Sequence, residues 1–281
     1  MIENDVRKQA KASQTHLTPE KLRVWFGEKV GDVKELTVFD PAVGSGQLLQ
    51  YIEAKHFIGN DIDKTSLDYF KNNFKNADCF NENYFDIENI EYDVAVANYP
   101  FSLALKDVID YEKEHNKKLI DIFFKNGKIT GKADYLFILK SFLQAKQKRG
   151  YYLCFPGITY RTAEQKFRDY ITENNFLISY GQINNCKFDS TSINILYLEL
   201  GENKTGKVDT FLYDLQQDKI LKSVEVDIKS LIGKSWEVPR EDIEEEIIDI
   251  EELEKKIEAT KIKRRMIEDE LDAFLKELKN E

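Results

Sequence analysis

Apolar and polar positions fall into short blocks along most of this chain, and nearly every block ends at a turn signal. Leu36, Thr37 and Val38 are a β-prone run that stops at Asp40-Pro41. A turn containing Gly44 and Gly46 follows, and Leu48, Leu49, Tyr51 and Ile52 then open an apolar helix start. Strand, glycine turn and helix form the first unit of an α/β nucleotide-binding fold. Residues 56–63 read as a second strand ending in acids, with Asp63 capping a helix that carries Leu67, Tyr69 and Phe70. Val94, Ala95, Val96 and Ala97 make a further apolar strand. Tyr135 to Lys140 is an apolar run leading into a helix that reaches Arg149-Gly150. A buried strand at 151–155 ends at Pro156-Gly157. The pattern then predicts a helix around 167–171, strands at 177–183 and 193–200, a hairpin at 208–213 and a short helix before Pro239.

Both ends depart from this alternation. The first seventeen residues are polar, after which Thr18-Pro19-Glu20-Lys21-Leu22 reads as a helix start, with Thr18 as cap and Pro19 in the first turn. Toward the other end, Ile243, Ile250, Ile257, Leu271 and Leu278 recur every seventh residue, with Arg264 interrupting. Leu253, Ile267 and Phe274 hold the second apolar position, with Thr260 in the same row. Such heptads predict a coiled-coil helix about 60 Å long at 1.5 Å per residue. Its stripe needs a cover, and the length favours a partner helix over the body of this chain.

Charge adds to that division. The net charge is −10, which suits a polyanion-binding protein poorly. Residues 241–260, however, hold ten acids against Lys255 and Lys256, a net −8 that leaves about −2 for the rest. A local basic face on the near-neutral body is compatible with this, though nothing in the charge suggests a strong unaided grip on a polyanion. Residues 102–134 carry seven lysines with Gly127 and Gly131 among them, a solvated face or a mobile lip that meets phosphates. No apolar run reaches the roughly 18–20 residues of a membrane span, and residues 1–15 lack a signal-peptide core. Cys79, Cys154 and Cys186 have neither pairing nor metal spacing, so no metal site and a cytoplasmic setting with reduced thiols are expected.

The candidate chemistry lies in two stretches. In Asp40-Pro41-Ala42-Val43-Gly44-Ser45-Gly46 the glycines let backbone approach a ligand, and Asp40 at the strand's end suits a cationic group. The third glycine of a dinucleotide fingerprint would fall on Leu49, which excludes that reading. The second stretch is Asn98-Tyr99-Pro100-Phe101, after the apolar strand. Together, in this order, they resemble the amino-methylating DNA methyltransferases, and Asn at the first position favours adenine N6. The run through Cys186-Lys187-Phe188-Asp189-Ser190-Thr191-Ser192-Ile193 extends the likeness to the modification subunit of type I restriction–modification systems, across most of residues 14–240.

That resemblance implies a Rossmann-like sheet with helices on both faces, S-adenosylmethionine (SAM) as methyl donor and DNA as substrate. It places Asp40, Pro41, Ala42, Gly44, Ser45 and Gly46 around the cofactor, with Asp61 on the ribose and Ile62 over the adenine ring. Thr18 would meet the SAM carboxylate, a role compatible with capping. At the position that accepts from the adenine amine the best register gives Asn83, followed by apolar Tyr84 and Phe85, with Asp78 and Asp86 as competitors. Asn98, through its side-chain oxygen, and Tyr99, through its carbonyl, would accept from the target amine. Pro100 would hold residue 99 extended, and Phe101 would stack on a flipped-out base. Tyr99 departs from the family, where Pro is usual, at some cost in rigidity. Related motifs also serve enzymes that methylate RNA amines or protein amides, and a non-catalytic SAM-binding assembly subunit is the other alternative.

The expected organisation is a catalytic domain at 1–204, a hairpin and helix extension at 205–239, and a coiled-coil helix at 240–281. The stretch after residue 200 is too short for the usual target-recognition domain, so specificity is expected from a separate subunit held by residues 240–281.

Overall fold

The computed structural model describes residues 18–100, 103–110, 112–122, 132–188 and 191–241, together with 258, 260, 261 and 264. The chain divides into two compact units, residues 1–240 and 241–281, and every element named below belongs to the first. The heptad-bearing segment lies almost wholly outside the described residues, as does Phe101.

Val94-Ala95-Val96-Ala97 has no polar face, and a strand of that composition must lie where both sides are covered. It does: β4 (Val94–Ala97) is buried at all four positions. β1 (Val33–Asp40), β2 (Ala54–Asn60) and β3 (Ala77–Phe80) lie to one side of it; β5 (Arg149–Cys154), β6 (Leu177–Phe188), β7 (Thr191–Leu200), β8 (Lys207–Asp214) and β9 (Lys219–Asp227) lie to the other. The spatial order is β3-β2-β1-β4-β5-β7-β6-β8-β9. Pairing is parallel from β3 through β5 and between β6 and β8, and β7 runs antiparallel to both neighbours, as β9 does to β8.

Alternate residues of the strands serve two cores. Val38, Val94, Val96, Tyr151 and Tyr197 face one side, where α1 (Glu20–Val30) supplies Leu22, Trp25 and Phe26, and α2 (Lys64–Asn73) supplies Leu67 and Phe70. Phe39, Ala95, Ala97 and Tyr152 face the other, under Leu136, Phe137 and Leu139 of the eleven-residue helix Asp134–Gln144 and Phe167 and Ile171 of the helix Gln165–Glu173. Between β4 and Asp134–Gln144 stand two short helices, α3 (Leu105–Val108) and α4 (Glu114–Asp121), so these longer ones are α5 and α6. Helices on both faces of a mixed sheet make this an α/β fold.

Four local expectations change. The helix expected after the glycine turn is a single 3₁₀ segment, Gln47–Tyr51. One turn suffices to bury Leu48 and Leu49, and the Ile52 N–H closes it on the Leu49 carbonyl at 3.0 Å before β2 begins. Thr18 does not cap α1: Pro19 occupies the cap position, and its carbonyl accepts from the Arg23 N–H at 3.0 Å. The stretch 205–239 adds two strands to the same sheet, β8 pairing with β6 from Ser179↔Asp209 to Asn184↔Asp214. The short helix expected before Pro239 is a 3₁₀ segment, Ile228–Leu231, with its side chains Ile228 and Leu231 buried.

Candidate active site

From β1 the chain runs outward through β2 to β3, then crosses back to β4, so the connections after β1 and β4 diverge above the carboxyl ends of two adjacent strands. Ligands of open α/β sheets bind in the crevice such a reversal leaves. Asp40 closes β1 there, 2% exposed, its Oδ1 accepting from the Ala42 N–H at 2.9 Å. The Gly44 N–H donates to Asp61 Oδ2 at 2.8 Å, and Asp61 Oδ1 accepts from the Asp63 N–H at 2.9 Å. Asp63 turns to α2 and caps it, accepting from the Thr65 N–H and the Ser66 hydroxyl. The glycine turn and the acid after β2 are therefore one hydrogen-bonded unit.

Asn60, unnoticed in the sequence, joins a third loop to them. Its side chain is buried, and Nδ2 donates to the carbonyls of Pro41 and Glu82, each at 3.1 Å. One amide thus ties the segments that follow β1 and β3 to the end of β2. An asparagine closing an apolar strand was the only signal available for it. Asn81 adds bonds from Nδ2 to the carbonyls of Asp61 and Ile62.

The two glycines of the turn do different jobs. Both have positive φ, +54° at Gly44 and +81° at Gly46. A Cβ on Gly46 would lie 2.5 Å from the Phe70 ring, so that position is reserved for core packing. A Cβ on Gly44 would meet nothing within 4 Å, which leaves its backbone open to an approaching molecule. Ser45 stands between them half-buried, Ala42 is half-buried and Pro41 is buried.

Burial raises the Asp40 carboxyl to about 8, against the Ala42 N–H and with a further push from Asp61. Asp61 is raised by burial too, against the N–H groups of Asp63 and Gly44. Among the described residues neither acid forms an ion pair. Two acids short of positive charge, beside open backbone at Gly44, fit a ligand that brings a cation and hydroxyl donors, as SAM does. Ile62, 77% exposed, presents apolar surface next to them.

Across the crevice, the side chain of Asn98 follows β4, half-buried, and its Nδ2 donates to the buried Thr18 Oγ1 at 2.8 Å. Two residues 80 positions apart thus meet, a pairing no sequence period announces. Among the described residues Asn98 Oδ1 accepts no hydrogen bond. Tyr99 turns inward, 1% exposed and stacked on Phe137 with ring centroids 5.5 Å apart and planes 12° apart. Among the described residues its hydroxyl has no oxygen or nitrogen partner; it neighbours the Cys154 thiol, and burial holds it far above the ordinary phenol range. Pro100 is exposed.

Asn83 caps the 3₁₀ segment Tyr84–Asp86, its Oδ1 accepting from the Phe85 N–H at 3.1 Å while Nδ2 donates to the Val108 carbonyl at 2.7 Å. The rivals are engaged elsewhere, Asp78 with His56 at 3.0 Å and Asp86 with Lys113 at 2.7 Å. Lys140 of α5 is a further residue that no sequence pattern singles out. Its ammonium is buried and donates to the carbonyls of Tyr84 at 2.6 Å and Ile87 at 2.7 Å, over the Tyr84 ring. Burial lowers it to about 8, with Asp86 and Glu88 opposing.

Residues 65–265 match the family model described as N-6 DNA Methylase. Among solved structures, the methyltransferase subunit of a type I restriction-modification system from Streptococcus thermophilus is 20% identical with a TM-score of 0.56, over 70% of this chain and 47% of that one. A type I restriction enzyme modification subunit from Vibrio vulnificus is 12% identical with a TM-score of 0.64, over 88% and 64%. A class I S-adenosylmethionine-dependent methyltransferase from Listeria monocytogenes is 16% identical with a TM-score of 0.54, over 73% and 71%. The chain thus spans about half to two thirds of the length of the type I subunits it matches.

Proposed function

Because the chain belongs to the N-6 DNA methylase family, we propose that it transfers a methyl group from SAM to the exocyclic N6 of an adenine turned out of DNA. The observation that carries this reading is Asn98 just past the end of β4, its oxygen unclaimed among the described residues, with the buried acid Asp40 closing the adjacent parallel strand β1. SAM, when bound, supplies a methyl on a positively charged sulfur that needs no metal to react.

The chain's own residues do the rest. Asp40 takes the positive charge of the cofactor's amino group, the Gly44 backbone gives it room, Asp61 accepts from the ribose hydroxyls and Ile62 covers the ring. Pro41, Ala42, Ser45 and Gly46 shape the turn beneath. Asn83 contacts the adenine amine through the second lone pair of its Oδ1, favoured over Asp78 and Asp86 because those acids already hold cations or a histidine. Thr18 gives its hydroxyl hydrogen to the cofactor carboxylate. The N6 lone pair of adenine is delocalised into the ring. Asn98 Oδ1 and the residue 99 carbonyl, by accepting its two hydrogens, favour the pyramidal, more nucleophilic amine; transfer would break the methyl–sulfur bond, release S-adenosylhomocysteine and give the surplus N6 proton to solvent. Pro100 keeps residue 99 extended, and Phe101 stacks on the base. The buried Tyr99 ring, clamped on Phe137, supports the rigidity that proline gives elsewhere in the family.

Sequence specificity comes from a separate subunit held by the heptads of residues 240–281, consistent with a body whose charge gives little unaided hold on DNA. The test is transfer of labelled methyl from SAM to unmodified DNA by the full chain, alone and with its coiled-coil partner. Asn98→Ala is expected to lower the rate by roughly 10²–10³ while leaving SAM binding intact. SAM binding without label in DNA under either condition redirects the substrate to RNA or protein amides. Absence of SAM binding overturns the enzymatic reading.

A further inference from the structure

The bond between Thr18 and Asn98 has a consequence beyond holding two loops together. A carboxamide has an acceptor end and a donor end of nearly the same shape, and only the acceptor end can receive a hydrogen from a substrate amine. Asn98 is half-buried at the end of β4, and its one side-chain hydrogen bond among the described residues is Nδ2 to Thr18 Oγ1, 2.8 Å. A hydroxyl both donates and accepts, so Thr18 alone is compatible with either end of the amide. The ambiguity disappears once the hydroxyl hydrogen is given to an acceptor-only group such as a carboxylate. Oγ1 can then only accept, and the single partner it accepts from is the amide nitrogen. Thr18 is 8% exposed and adjoins Pro19, the cap of α1, so it has little freedom to rotate away.

We infer that Thr18 is a positioning residue that orients the Asn98 amide, and that a carboxylate-bearing ligand in the crevice locks the orientation in which Oδ1 faces the substrate. The cofactor's amino-acid end thereby acts as a switch for the acceptor that receives the target amine, through one hydroxyl and with no backbone movement. This rests on the reading given above, in which SAM occupies the crevice and Thr18 meets its carboxylate.

Two ligands separate the parts of the claim: S-adenosylhomocysteine, which has the carboxylate, and 5′-methylthioadenosine, which does not. The Asn98 side-chain amide signals are observed by nitrogen-15 NMR in the full chain and assigned by their disappearance in Asn98→Asp. S-adenosylhomocysteine is expected to slow exchange of one amide hydrogen with water, and 5′-methylthioadenosine is not. In Thr18→Val the slowing disappears; in Thr18→Ser it returns. In methyl transfer at saturating SAM, Thr18→Val is expected to lower kcat about tenfold, equivalent to about 1.4 kcal/mol of transition-state stabilisation, and Thr18→Ser to restore it. A Thr18 that served only to bind cofactor would raise KM and leave kcat alone. If S-adenosylhomocysteine binds and the Asn98 signals are the same in wild type and Thr18→Val, the orienting role is wrong and the enzymatic reading stands. If the wild-type chain binds neither ligand, the reading fails and the inference with it.

Discussion

Asp40 is a carboxyl that the fold keeps protonated where a solvated aspartate is ionised. Between the ordinary carboxylate range and its raised value of about 8, the folded chain holds this proton and the unfolded chain has released it. The contribution to stability of the ligand-free protein therefore falls as pH rises through that window. A cationic ligand needs the ionised form, so its affinity is expected to rise with pH, by at most about tenfold per unit, and to level off above about 8. Calorimetric titration with SAM from about pH 6 to about pH 9 checks this; a flat profile would remove Asp40 from the contact. Asp40→Asn should abolish SAM binding while raising the melting temperature of the free protein at the alkaline end by about a few degrees. The two turn glycines give a second contrast. Gly46→Ala drives a methyl into Phe70 at positive φ and is expected to cost more than about 2 kcal/mol in urea unfolding. Gly44→Ala carries only backbone strain, about 1 kcal/mol, and its larger effect should be a loss of cofactor affinity.

At the scale of elements, α5 holds the two halves of the site in register. Phe137 stacks on Tyr99 beside Asn98 and on Tyr84 in the loop after β3, and Lys140, one turn on, donates to that loop's carbonyls. Lys140→Met leaves two carbonyls without their donor and is expected to destabilise the fold by about 2–3 kcal/mol, with weaker SAM binding as the loop carrying Asn83 loosens. Unchanged affinity in that variant would confine Lys140 to stability. The strands were legible in the sequence because burial on both faces gives β4 and β5 unbroken apolar runs, and the glycine turn because its residues are adjacent in the chain. The rest depended on long-range partners. Lys140 sits in a helix buried at nine consecutive positions, so no polar face marked it as inward-pointing. Asn60 finds its acceptors 19 and 22 residues away. Thr18 has the composition of a helix cap, and its bond to Asn98, 80 positions away, shows only in the fold.

For the whole molecule, the division at residue 240 separates a folded body from the heptad segment. On the proposed reading, a chain ending at 240 is expected to keep its cofactor affinity and lose association with the proposed specificity subunit, read by calorimetry and by site-specific methylation with that subunit added. Site-specific methylation by the shortened chain would make the partner unnecessary. Within the body, α1 is seated by residues far along the chain: Trp25 packs on Tyr197 and on Tyr213 at 5.2 Å, and on Phe211 at 6.0 Å. β8 thus helps to fix the helix that begins beside Thr18. On the ribosome, where the chain appears from its amino terminus, Thr18 is made early and then waits. Its helix has no complete seat until Tyr213 has left the exit tunnel, so a nascent chain that already carries every other residue of the crevice still lacks a properly placed Asn98.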